Sequence, residues 1–294
     1  METFIRQSEG LTLWAETFGV PSHPAVLLVM GATGQGVFWP ERFCIQLAQS
    51  GHFVIRYDHR DTGRSSAVSA LHPYTLNALT SDAVAVLDGL NVAKAAVVGL
   101  SMGGFIGQLM ATQHPQRVER LVLMSTTADH RPCVAASLGI PTTKLLRLPP
   151  PTSAFQDYIK KARRHRPKSA DDLYASAYDA LAATYAGPKG CPTAEVKAAI
   201  RLASSRTDNL MAAFKHGLAV SASKNRLKLV RDIRVPTLVI HGRFDPLFPL
   251  EHGQYLAENI PGAQMLVLNM GHSFMWSWDD EVGAAVEGFL RLPH

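Results

Sequence analysis

Gly99-Leu100-Ser101-Met102-Gly103 places a hydroxyl between glycines, after an apolar run at 95–98 and before a helix-compatible stretch at 104–113. A serine hydroxyl is a poor nucleophile at neutral pH. It needs a base to take its proton and backbone donors to meet the oxyanion that forms. A strand that runs straight into a helix offers such a position. The turn is tight enough to force the serine into strained backbone angles, and side chains in place of Gly99, Gly103 and Gly104 would collide with their neighbours. A phosphate-binding turn would carry G-x-G-x-x-G or a terminal Gly-Lys-Ser/Thr instead, and neither is present. Ser101 is therefore the expected nucleophile.

In the chain order serine, acid, histidine, the acid follows a late strand and the histidine follows the last one. Asp245, in the turn His241-Gly242-Arg243-Phe244-Asp245-Pro246, comes after the apolar run 237–240, and His272, with Gly271 before it, follows the run 264–268. His272 is expected to take the Ser101 proton and return it to the leaving alcohol, while Asp245 fixes the imidazole tautomer and stabilises its cation. Asp129, shortly after the run 120–125, is a competing carboxylate; the strand-end position of Asp245 and the adjacent Pro246 favour Asp245. Two backbone N–H groups must form the oxyanion hole. Met102 follows the nucleophile, and Ala32 lies in the loop 30–34, where Gly31 lets the backbone fold under the turn.

The elements that must hold these residues alternate along the chain. Runs at 11–18, 25–30, 53–58, 95–100, 120–125, 237–241 and 264–268 read as strands. Stretches at 38–50, 76–90, 102–114, 250–260 and 281–291 read as helices between them, the pattern of parallel strands joined by crossovers. The alternation breaks at 127–234, where proline clusters such as Leu148-Pro149-Pro150-Pro151 separate helix-like segments at 155–164, 170–185 and 193–203. This segment reads as an inserted helical cap, 127–234, on a core formed by 1–126 and 235–294. It carries 19 Lys and Arg against 8 Asp and Glu, whereas the remainder carries 10 against 16, so a basic cap faces an acidic core. Its most basic run, 160–166, lacks interleaved aromatics or a nucleic-acid module and reads as a solvated helix face.

Composition bounds the remaining classes. A chain of 294 residues with 47% apolar residues can bury a large core. No stretch approaches the roughly 18 apolar residues of a membrane span, and the first residues lack a signal-peptide pattern, so a cytoplasmic protein is expected. Cys44, Cys133 and Cys191 are odd in number and far apart, which fits neither a disulfide framework nor a metal site. No nucleic-acid partner, metal or cofactor is expected, and the chain is read as a monomer or homodimer.

These residues, with Tyr57-Asp58-His59-Arg60-Asp61-Thr62-Gly63-Arg64-Ser65, resemble the α/β-hydrolase fold over nearly all of the chain outside the cap. Val29-Met30-Gly31, the segment 57–65, and 82–89 with 97–103 are similar to the aclacinomycin methylesterases, which tailor anthracycline polyketides. The resemblance implies a mostly parallel eight-stranded sheet flanked by helices and a cofactor-free serine hydrolase whose small-molecule ester substrate forms an acyl-enzyme. It also implies two departures from the commoner pattern, Met30 in place of a histidine and Asp61 in place of a glycine. The first removes one side-chain support from the oxyanion loop. Asp58 and Arg60 read as a structural pair beside the site. Gly31, Phe38, Phe105, Phe248 and Phe274 are expected to line a pocket suited to an aromatic or hydrophobic acyl group. The same triad would serve a lactonase, a carbon–carbon bond hydrolase, a perhydrolase side reaction or a slowly turning ligand receptor. An aspartate-dependent dehalogenase or epoxide hydrolase is excluded by Ser101.

Overall fold

A strand covered on both faces has no polar side to alternate, so the continuous apolar runs become the middle of a sheet. The computed structural model describes residues 1–292 apart from 8–9, 70, 72, 142–145 and 166–167. Its strands are β1 (Glu2–Arg6), β2 (Thr12–Phe18), β3 (Ala25–Val29), β4 (Phe53–Tyr57), β5 (Ala95–Leu100), β6 (Val118–Met124), β7 (Thr237–Gly242) and β8 (Gln264–Leu268). They form one eight-stranded sheet in the order β1-β2-β4-β3-β5-β6-β7-β8. β2 pairs antiparallel with β1 and with β4, and the other pairs are parallel. The sequence reading missed β1, an edge strand in which only Ile5 is buried and which therefore has no apolar run to announce it.

The described residues form ten α-helices: α1 (Glu41–Gln49), α2 (Leu76–Gly89), α3 (Met102–Gln113), α4 (Arg131–Leu138), α5 (Ser153–Arg164), α6 (Ala170–Ala182), α7 (Thr193–Ser205), α8 (Lys215–Ser221), α9 (Glu251–Asn259) and α10 (Asp279–Leu290). The pleat divides the core into two layers. Leu27, Val29 and Val97 pack with Leu79 of α2, Ile106 of α3 and Leu256 of α9. Val26, Leu28 and Val98 pack with Phe43 and Leu47 of α1 and Val282 of α10. Each large side chain so buried contributes about 2 kcal/mol of hydrophobic free energy. The helix expected over 38–50 begins only at Glu41, because Pro40 holds Trp39 in an extended conformation (φ −71°, ψ 110°).

Between β6 and β7 the described residues contain helices and 3-10 turns and no strand. Thr152 and Ser169 cap α5 and α6 by accepting the amides of Phe155 and Asp172. Tyr185, Val196 and Ile200 form a small apolar cluster of this insertion. The basic run expected over 160–166 is the exposed end of α5 as far as His165; Arg166 lies outside the described residues.

The expected Asp58–Arg60 pair does not form. Asp58 accepts from Arg206 of the insertion (2.7 Å) and from the amides of Gly36 (2.7 Å) and Arg64 (2.9 Å). Arg60 instead donates through Nε and Nη2 to both oxygens of Asp82 on α2, each at 2.6 Å. Two amides and an outside cation satisfy Asp58, while the guanidinium fork matches both Asp82 oxygens. Arg60 and Asp82 are both buried, so removing the carboxylate leaves a cation away from water. Asp82→Ala is predicted to lower the unfolding free energy by about 3 kcal/mol in urea titration; a loss below about 1 kcal/mol would contradict this account of the pair.

Candidate active site

β5 passes into α3 through Ser101, whose backbone sits at φ 55° and ψ −116°. A side chain at such angles costs on the order of 1–3 kcal/mol and persists only where neighbours over-determine it. Here they do. The Ser101 amide donates to the carbonyl of Met124 at the end of β6 (2.9 Å), and its own carbonyl accepts from Thr126 Oγ1 (2.7 Å) and the Gly104 amide (2.9 Å). The close packing behind the turn excludes side chains: a Cβ on Gly103 would lie 2.0 Å from the Val29 carbonyl oxygen, and one on Gly99 2.3 Å from that of Gly103. Ser101 remains partly exposed, and its Oγ has no hydrogen-bond partner among the described residues.

Asp245 and His272 follow β7 and β8 and are both buried. His272 Nδ1 lies 2.9 Å from Asp245 Oδ2, while Asp245 Oδ1 accepts from the amides of Leu247 (2.9 Å) and Phe248 (2.8 Å). Burial alone would raise the Asp245 carboxyl, but the charge and hydrogen bond of His272, the nearby His241 and the Phe248 amide hold it below its ordinary value. An ionised carboxylate only accepts, so Nδ1 carries the imidazole proton and Nε2 keeps the lone pair of a base. Asp129 does not compete, because its two oxygens accept from Arg131 Nε (2.7 Å) and Nη2 (2.6 Å). Gly271 allows His272 its approach to the insertion: a Cβ there would stand 2.5 Å from the Thr184 carbonyl oxygen, which accepts the His272 amide (2.9 Å).

The loop after β3 passes beside Ser101, with a Cβ on Gly31 falling 3.3 Å from Ser101 Cβ. Among the described residues the amides of Ala32 and Met102 have no acceptor. The missing support at Met30 comes from elsewhere in the chain, since His59 Nε2 donates to the Met30 carbonyl (2.9 Å). Asp61 stands at φ 68°, a conformation that favours glycine, and its carboxylate accepts from Lys215 and the Val68 amide, each at 2.7 Å.

Phe105, in the first turns of α3, and Phe248 pack 6.2 Å apart, and Phe248 lies edge-on to His272 at 5.5 Å. These two rings bridge the serine turn and the histidine. The structure places the other expected pocket rings away from that bridge. Phe38 packs edge-on to Trp276, and Phe274 is fully buried 5.7 Å from both Trp39 and Phe43 in the α1 layer of the core. The sequence reading also missed Thr184, Arg206 and His216, which reach the site's loops from the insertion. His216 meets Thr33 across 183 residues, a separation that no local pattern can report. No group of three or more His, Cys, Asp or Glu side chains among the described residues is placed to hold a metal ion.

A family model described as alpha/beta hydrolase fold matches residues 24–277. The chain is 34% identical to the rhodomycin D methylesterases of Streptomyces peucetius and of Streptomyces sp. strain C5, over 99% of this chain and 99% of each relative. Among solved structures, the enol-lactonase from Burkholderia xenovorans aligns with a TM-score of 0.77 and 26% identity, covering 99% of this chain and all of the lactonase.

Four histidines around these loops, His59, His130, His216 and His252, are buried, and burial pushes each down to about 4. In the unfolded chain they titrate near 6.5. Their folded value is the lower one, so the stability gained by keeping them neutral is complete above about pH 6.5 and is lost as the pH falls toward 4. Denaturant titrations are predicted to show the unfolding free energy dropping by several kcal/mol between about pH 7 and pH 5. A flat profile across that window would contradict neutral burial of these rings.

Proposed function

The chain belongs to the alpha/beta hydrolase fold family, and from that premise we propose that it cleaves a carboxylic ester through Ser101, His272 and Asp245. Its class of activity is carboxylic ester hydrolysis, as the full-length methylesterase relatives indicate. The observation that carries the residue assignment is the strained Ser101 turn combined with the His272–Asp245 hydrogen bond on the two following strand ends.

In this reading His272 Nε2 takes the Ser101 proton as Oγ attacks the ester carbonyl. The tetrahedral oxyanion accepts from the Met102 and Ala32 amides, and Asp245 stabilises the imidazolium. Collapse expels the alcohol, which receives the proton from His272. Water, deprotonated in turn by His272, then attacks the acyl-enzyme and releases the acid and free Ser101. We assign residues 127–234 as a cap over the core of 1–126 and 235–294. The bonds from Thr184 to the His272 loop and from Arg206 to Asp58 support this division.

The substrate assigned is a methyl ester on an aromatic or hydrophobic acyl group. The names of the relatives support the methyl ester, and the buried rings of Phe105 and Phe248 beside His272 support an apolar acyl side. A lactone is the second reading, supported by the solved enol-lactonase.

Turnover is to be measured on aromatic methyl esters, lactones and p-nitrophenyl esters of graded acyl length, with Ser101→Ala alongside. The variant is predicted to lose at least about a thousandfold in kcat. Ester turnover near the wild-type rate in that variant would overturn the nucleophile assignment. Faster turnover of lactones than of methyl esters would overturn the substrate assignment and leave the triad standing.

A further inference from the structure

The oxyanion loop is strained one residue beyond the proposed donor. Thr33 lies at φ 65°, where a β-branched residue is rarely found. Two bonds hold it there: its hydroxyl donates to the Ala32 carbonyl (2.6 Å), and its amide donates to His216 Nδ1 (3.0 Å). The His216 ring is fully buried, and its Nε2 donates to the carbonyl of Arg60 (2.9 Å). The ring therefore joins the loop after β3 to the loop after β4. It is carried by α8, where the neighbouring Lys215 is itself fixed to Asp61 (2.7 Å).

We propose that His216 is a positioning residue of the oxyanion hole, its Nδ1 fixing the Thr33 amide so that the adjacent Ala32 amide stays aimed at the developing oxyanion. The inference rests on the serine-hydrolase reading above. Its chemistry is specific to a neutral imidazole with one acceptor and one donor. Nδ1 accepts only while it carries no proton, and the buried ring, pushed down to about 4, meets that condition at neutral pH. Met30 offers no side-chain hydrogen bond to the loop, so the carbonyl of residue 30 is held by His59 and the amide of residue 33 by His216. One support comes from the core and one from the insertion. If the second is lost, the strain at Thr33 relaxes locally, the Ala32 amide turns away, and the transition state loses stabilisation that bound substrate never used.

Two variants separate this role from packing. His216→Asn keeps an acceptor at the δ position, and His216→Ala removes it. Each is compared with wild type for kcat and KM on a p-nitrophenyl ester and for the affinity of phenylboronic acid, a tetrahedral-adduct inhibitor. His216→Ala is predicted to lower kcat by roughly tenfold to a hundredfold, with KM changed less than about threefold and boronate affinity falling in step with kcat. His216→Asn is predicted to stay within about threefold of wild type in kcat. The inference is overturned if the alanine variant keeps the wild-type kcat. It is also overturned if the asparagine variant, folded by circular dichroism, loses as much as the alanine one. Should the alanine variant fail to fold, the asparagine variant decides alone, on the same threefold limit. Ser101→Ala in the same assay keeps the two readings apart: activity surviving there defeats the serine reading. An inactive Ser101→Ala beside a fully active His216→Ala defeats only the inference.

Discussion

A serine at φ 55° and ψ −116° stores strain that the isolated peptide would release, and the site depends on the contacts that prevent this. The sheet supplies them. β6 accepts the Ser101 amide through Met124, and Thr126, just beyond it, donates to the Ser101 carbonyl, so the turn cannot relax without breaking the bonds of a central strand. The α3 helix is then packed so near β3 that Gly103 has no space for a side chain. The same closeness brings the loop after β3 against Ser101, where, among the described residues, two backbone amides have no acceptor and the serine hydroxyl has no partner. Strain, two amides without acceptors among the described residues and a partly exposed serine thus have one common cause, a strand that becomes a helix with no loop between them.

The insertion between β6 and β7 is joined to the loops after β3, β4 and β8. The carbonyl of Thr184 accepts the amide of His272, Arg206 pairs with Asp58, and His216 accepts from Thr33. The uneven distribution of charge acquires a local meaning from these contacts. Arg206 and Lys215 belong to the basic insertion, and they neutralise Asp58 and Asp61 of the acidic core, both fully or almost fully buried. Such pairs contribute little net stability, because desolvation offsets much of their attraction, but breaking one leaves a charge stranded. Each also ties a residue of the insertion to the segment after β4.

What could be read from the sequence was whatever physical chemistry makes local. Continuous apolar runs marked the central strands, as in β3 and β5, whose residues are all buried. The glycines around Ser101 and before His272 recorded close approach, and the strand-end position of Asp245 beside Pro246 favoured it over Asp129 as the expected acid. Edge strand β1 escaped notice because solvent covers most of it. Asp58 and Arg60 read from the sequence as a structural pair beside the site, whereas the structure gives them Arg206 and Asp82 as partners. Phe274, an apolar residue near the His272 loop, is expected from the sequence to line the pocket, yet its ring packs against Trp39 and Phe43. His216 could not be found at all, since its function is set by a contact between distant segments.

Covalent capture tests the central claim without requiring the natural substrate. The protein is treated with a stoichiometric fluorophosphonate, digested and mapped by mass spectrometry, with His272→Ala labelled in parallel. The account predicts a single adduct on Ser101 of the wild-type chain and labelling at least about a hundredfold slower in the histidine variant, as expected when a nucleophile loses its base. An adduct on another residue, or a labelling rate indifferent to His272, would contradict it.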